Sequence, residues 1–267
     1  KYYVRVIEVY YRNLLNYDAE STYSAKAEMF SLLVTQRIDA DFADELIKEL
    51  IRPIPLDCPS KSDAKLIQEM FKYTYNFRQK QISGKLLLLI IGMVLDGVKD
   101  KQRLYDKLDQ LEKLTQGNKA DLSRATEKSV QNYFDWLLPS ICELCDRSAD
   151  LEAVYRLFEM PAAVEAIFFA QCARIYLKQS KGEKDYAVFC EFLSVVFANA
   201  ASQSREEVGK VLCKLSKQKM EGLDFAVTDY FRMDGHALRC WDEIRSTAES
   251  TNPILNNLSN LFKRRKD

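Results

Sequence analysis

Histidine occurs once in the 267-residue sequence, at His236. A single imidazole leaves little scope for His-based acid–base chemistry and none for a histidine-rich metal set. Glycine and proline are also scarce, at eight and six residues. So few turn-formers argue against a turn-rich β-sandwich and against a glycine loop that cradles phosphate. No excess of one charge sign exists either, because 39 Lys+Arg balance 39 Asp+Glu. The whole chain therefore has no electrostatic drive toward nucleic acid or an anionic membrane. Long apolar runs are missing too. The longest, Leu86–Leu95, is about half of what a bilayer span requires, so no membrane insertion is expected. The opening KYYVRVIEVY lacks an apolar signal-peptide core, and a start at Lys1 in place of Met suggests a piece of a longer chain.

What is present is a globular composition, 47% hydrophobic and 29% charged. The seven cysteines, an odd number, fall mostly within apolar helical patterns, where a reduced thiol acts as a small hydrophobe. Such usage predicts a reducing, cytoplasmic setting.

Helical periodicity recurs along nearly all of the chain. Phe42, Leu46 and Leu50 share one face of a helix that stops before Pro53. Residues 53–61, PIPLDCPSK, hold half of the prolines and form the expected linker between an N-terminal helical segment (1–52) and a main helical domain (62–267). Ser60 or Ser62 caps the next helix. Leu86–Leu95 is apolar on every side, which marks it as the central core element, with a buried strand as the competing reading. Leu104, Leu108 and Leu111 pattern a helix that Gly117-Asn118 closes. Pro139 ends or restarts the helix begun near 120, and Pro161 opens another. Ser204–Glu207 has capping-box spacing, Asp234 caps a helix through Trp241, and Asn252-Pro253 opens a last one. The predicted fold is all-α, a multi-helix bundle or irregular helical stack of about a dozen helices.

Candidate chemistry is thin. Cys142 and Cys145 have CxxC spacing, but no further soft ligand lies nearby in sequence, so a shared buried helix face is the expectation. Lys210, Lys214 and Lys217 fall at i, i+4 and i+7, with Lys219, Arg264 and Arg265 extending the positive charge, and together they suit phosphate or an acidic partner. Tyr2, Tyr3, Tyr10 and Tyr11 crowd the first turns and suit an interface. Ser62–Lys65 and Ser216–Lys219 match S-x-x-K without the companion segments of that chemistry. Arg232 and His236 resemble the Arg–His pair of the all-α HEPN nucleases, although the interval here is four residues, shorter than in that family. Asp96-Gly97 with Asp100 is similar in outline to the acidic turn of TerB-like helical domains, on too few residues to carry a role across.

By subtraction, with no catalytic, metal or cofactor set in view, the sequence suggests a non-enzymatic protein-interaction or regulatory domain. A protein partner is expected. The alternative is a nucleic-acid-binding helical protein that uses the basic residues, with a HEPN-like nuclease as its enzymatic form.

Overall fold

A computed structural model describes residues 26–28, 30–31, 40–57, 59–78, 83–180 and 183–251. Residues 26–28 and 30–31 are helical, and from Ala40 onward the described chain forms eleven helices and one two-stranded ladder, β1 (Ala120–Asp121) with β2 (Phe158–Glu159). The fold is all-α, as the sequence predicts. The Tyr-rich opening, Cys58 and the helix expected after Pro253 lie outside the described residues. No described helix is long and apolar enough to cross a membrane. The chain divides into two compact units, Lys1–Asp96 with Asp109–Ala120, and Gly97–Leu108 with Asp121–Asp267.

In the first unit, α1 (Ala40–Ile51) buries Ala43, Leu46, Ile47 and Leu50 at helical spacing. The Pro-rich stretch after it lies within this unit and buries Ile54 and Leu56. Ser60 and Asp63 then cap α2 (Lys61–Arg78) reciprocally. The Ser60 hydroxyl accepts from the Asp63 amide at 3.1 Å, and the Asp63 carboxylate accepts from the Ser60 amide at 3.2 Å. α3 (Gly84–Leu95) is a helix, so the strand alternative for this run is set aside. It buries Leu86 to Gly92 without interruption and packs on α2. Lys85, in its first turn, donates to the Arg52 carbonyl at 2.9 Å beyond the end of α1. Burial holds the Lys85 ammonium below its ordinary pKa.

α4 (Lys101–Thr115) has residues in both units. The Asp100 carboxylate accepts from the Arg103 amide at its start. The left-handed residues Gln116 and Gly117 stop it.

The second unit is built around α7 (Ala162–Gln179), which buries Phe168, Phe169, Cys172, Ala173 and Tyr176 on several sides. In this unit α7 has the all-round apolar character that the sequence offers most visibly in α3. α5 (Glu127–Cys142) and α9 (Ser202–Leu212) pack on α7, as does α8 (Glu183–Asn199). α6 (Ser148–Tyr155) and α10 (Lys217–Tyr230) pack on α8, and α11 (Gly235–Thr251) on α9 and α8. Tyr133, Phe134, Phe158 and Phe168 meet edge-on or tilted, with ring centres 5.3–6.4 Å apart.

Three local expectations are corrected. Pro139 neither ends nor restarts α5, which continues through it to Cys142 while Leu138, Ile141 and Cys142 stay buried. Packing outweighs the single backbone hydrogen bond that proline removes. Ser204 is not a cap: α9 starts at Ser202, and the wholly buried Ser204 hydroxyl donates to Glu165 of α7 at 2.7 Å. Lastly, Lys210, Lys214 and Lys217, expected at i, i+4 and i+7, do not lie on one helix. α9 ends at Leu212 and Ser216 caps α10, its hydroxyl accepting from the Lys219 amide.

Candidate interaction surface

α10 forms because Ser216 supplies an N-cap and Leu223, Val227 and Phe231 make an apolar row at i, i+4 and i+8. That row is buried. A polar clamp beside it fixes the helix against α11: the Asp224 carboxylate accepts from Trp241 Nε1 at 2.8 Å and pairs with Arg245 at 3.3 Å. Tyr230, at the C-terminal end, donates its hydroxyl to Glu191 of α8. This hydrogen bond, helped by burial, pushes the Tyr230 hydroxyl pKa up to about 12.

With those contacts fixing one side, the opposite side of α10 faces outward. Phe225, two residues from buried Leu223, is 77% exposed. Met233, in the turn after the helix, is 92% exposed. With Tyr230 at 45%, these are the exposed large hydrophobic residues among the described part of the chain. All three lie within nine residues. Lys217 and Lys219 at the start of α10, and Asp229 and Arg232 at its end, are exposed as well.

The Tyr230–Glu191 bond belongs to a wider polar network. Glu191 also accepts from the Ser148 amide at 2.7 Å and so caps α6 from a different helix. Burial alone would raise the Glu191 pKa, but the Tyr230 and Ser148 donors outweigh it and hold the carboxylate below its usual range. Asp150, in the first turn of α6, is nearly sealed from solvent. It accepts from Tyr105 at 2.8 Å and pairs with Lys101 at 3.0 Å and Arg147 at 3.1 Å. Again burial pushes the pKa up, while the Arg147, Tyr105 and Lys101 donors bring it below normal.

The residues singled out from the sequence are dispersed. Lys210 stays on α9, where Glu206 and Glu207 both lie 2.8 Å away. Lys214 is in the following turn, and Lys217 and Lys219 occupy the first turn of α10. The i, i+4, i+7 stripe is therefore broken at Ser216. Arg232 is exposed, with Asp229 at 3.9 Å. His236 lies beyond the Asp234 cap, in the first turn of α11, with Nε2 3.4 Å from the Phe197 carbonyl oxygen and 3.7 Å from Cys240 Sγ. Arg232 and His236 thus sit on either side of a helix start, each beside different neighbours. Tyr2, Tyr3, Tyr10, Tyr11, Arg264 and Arg265 lie outside the described residues.

Cys142 and Cys145 share a buried region at the end of α5, and the fold adds Cys172, whose Sγ is 3.9 Å from Cys142 Sγ. The Tyr176 hydroxyl donates to the Cys145 carbonyl at 2.8 Å. Burial, reinforced by the neighbouring thiols, drives the Cys145 and Cys172 pKa values upward, which disfavours thiolate chemistry. Among the described residues no group of three or more His, Cys, Asp or Glu is placed to hold a metal ion.

A cavity of about 190 Å³ in the first unit is lined by Leu50, Ile54, Leu66, Glu49 and Asp63, among others. It is smaller than a typical ligand pocket, and the Asp63 carboxylate is already committed to the Ser60 cap.

Phe225 and Met233 escaped the sequence reading because both sit off the apolar row at 223, 227 and 231. That offset was the available signal. No family model, no curated protein and no solved structure matches the chain.

Proposed function

We propose that the protein is a non-enzymatic helical interaction domain whose second unit binds a protein partner through the outward side of α10 and the turn after it. The observation that carries this is the exposure of Phe225 and Met233 on a helix whose other side is fixed by Leu223, Val227 and the Asp224–Trp241 contact. Large apolar side chains surrounded by charged neighbours are the composition of an interface centre and its rim. Cys142, Cys145 and Cys172, buried as small apolar side chains, support placing the domain in a reducing, cytoplasmic compartment.

A photo-crosslinking side chain at position 225 of the full chain, expressed in cells, tests the reading. A covalent adduct at 225 is expected, with none from a control at exposed Glu249. Equal yields at the two positions, or no adduct at 225, would refute it.

One observation favours the nucleic-acid reading as an alternative: Lys214, Lys217 and Lys219 are exposed around the N-terminus of α10, whose dipole attracts anions. A DNA and RNA titration across salt concentrations separates the two, since phosphate contacts make affinity fall steeply with salt.

A further inference from the structure

We infer that the partner of the α10 surface is a second copy of the same chain, docked antiparallel about a twofold axis lying between Gly222 and Phe225; this rests on the reading of α10 as an interaction surface.

A twofold interface brings one patch against itself, so the patch must be complementary to itself. α10 carries both halves of such a fit on one side. Phe225 and Gly222 are three residues apart and therefore neighbours on the helix surface. Phe225 is the projection, at 77% exposure. Gly222 is the depression, and the ring of Tyr186 from α8 forms its margin. A Cβ added at Gly222 would lie 3.5 Å from Tyr186 Cε2 and 3.5 Å from its hydroxyl oxygen. That is ordinary van der Waals contact, so packing within the chain has room for alanine there. Glycine in a helix interior costs stability that alanine would recover. Gly209 of α9 differs, because a Cβ there would meet Ile244 O and Thr247 Cβ at 2.7 Å. Packing within one chain therefore explains Gly209 and leaves Gly222 unexplained. An antiparallel copy accounts for it: each Phe225 ring lies over the other chain's Gly222, against the edge of Tyr186.

The charges point to the same arrangement. α10 begins with Lys217 and Lys219 and ends with Asp229, the reverse of what its macrodipole favours. Within the chain, the pairs Lys217–Glu221 at 3.8 Å and Asp229–Arg232 at 3.9 Å sit at the outer edge of ion-pair contact. Antiparallel docking lays the basic end of each helix over the acidic end of the other and opposes the two dipoles. With Phe225 opposite Gly222, the same register sets Gln218 opposite Asp229 and Lys219 beside that carboxylate.

Sedimentation equilibrium on the full chain tests this. Dimerisation that rises with concentration is expected. Gly222→Ala is expected to raise the thermal midpoint of the monomer yet weaken dimerisation by at least about tenfold, a combination that a purely structural glycine does not give. Lys219→Glu and Asp229→Lys should each abolish the dimer alone and restore it when mixed, because both contacts in the mixed dimer are again of opposite sign. A single monomer mass at every concentration up to about 100 μM overturns the inference. So do unchanged dimers in Gly222→Ala and in both charge variants. The mass of the adduct at position 225 separates the two readings. Twice the chain mass supports the second copy, an adduct to a different protein keeps the surface but overturns the second copy, and no adduct overturns both.

Discussion

Replacing Glu165 by alanine should cost the second unit about 3 kcal/mol, and the structure shows why. Its carboxylate reaches from α7 to the start of α9, where it accepts from the Ala201 amide at 2.9 Å and the Ser204 hydroxyl at 2.7 Å. A third donor, the Tyr155 hydroxyl, lies at 2.8 Å. Ala201, at the N-cap position, has no side-chain oxygen of its own to offer. Truncation therefore strands a helix N-terminal amide and a wholly buried hydroxyl, each worth about 1–3 kcal/mol when left unpaired. Some of that returns because a nearly buried carboxylate no longer has to be desolvated. Glutamine separates the terms. Its carbonyl oxygen can keep the Ala201 and Ser204 donors, while its amide group can donate to the Tyr155 oxygen. Glu165→Gln should lose only the charge–dipole part, about 0.3–1 kcal/mol. Urea unfolding followed by tryptophan fluorescence reads the difference, since Trp241 is buried on α11, which packs against α9, and Trp136 lies on α5 of the same unit. In a thermal scan, the alanine variant should melt roughly 6–12 °C lower. An alanine variant within about 0.5 kcal/mol of the parent, or a glutamine variant as damaged as alanine, would refute the cap.

Two further outcomes follow from the same reasoning. Gly209→Ala should destabilise by about 1–3 kcal/mol despite its better helix propensity. One of its clashing atoms, Ile244 O, is backbone and cannot swing aside, so α9 and α11 must part. A thermal midpoint equal to or above that of the parent would disprove the close approach. Asp150 and Glu191 have folded-state pKa values below normal, so their contribution is complete above the ordinary carboxylate value of about 4 and is lost as pH falls through the depressed folded values. Urea unfolding of the parent should therefore weaken on acidification from about pH 5 to pH 2 more steeply than that of Asp150→Asn. Parallel pH profiles would show that the Lys101–Asp150–Arg147 pairs carry no linkage.

Much of the architecture was legible because it is local. Of the face Phe42, Leu46 and Leu50, the last two are buried in α1 together with Ala43 and Ile47 while Phe42 sits at its edge, and of the two serines offered as the next cap it is Ser60 that bonds the Asp63 amide. Gly117 marks the end of α4 for the same reason, since glycine tolerates the left-handed backbone. The errors share one physical origin. Ser204-x-x-Glu207 matches a capping box, yet the cap of α9 is Glu165, and the start of α6 is likewise held by Glu191. A short window of sequence cannot see a carboxylate that arrives from another helix. Pro139 within α5 is the same case in reverse, where burial of Leu138 and Ile141 overrides a local breaker.

The basic stripe and the α10 surface both turn on Ser216. It falls within an S-x-x-K match, yet its role is to start a helix, with its hydroxyl accepting from the Lys219 amide. The i, i+4, i+7 spacing of Lys210, Lys214 and Lys217 gives them a common face only on an unbroken helix, and the break at Ser216 removes it. Once the phase is set by Leu223, Val227 and Phe231, Phe225 falls on the opposite side. Its exposure then follows from helical geometry, because two residues advance the side chain by about 200°. Met233 follows differently, from a turn that lets Asp234 accept from the His236 and Ala237 amides and start α11. Both apolar side chains are therefore held outward by the same contacts that anchor α10 and begin α11. For that reason, polar substitutions at 225 and 233 should leave folding nearly unchanged while removing association, and that separation of stability from binding distinguishes a docking surface from a defect in packing.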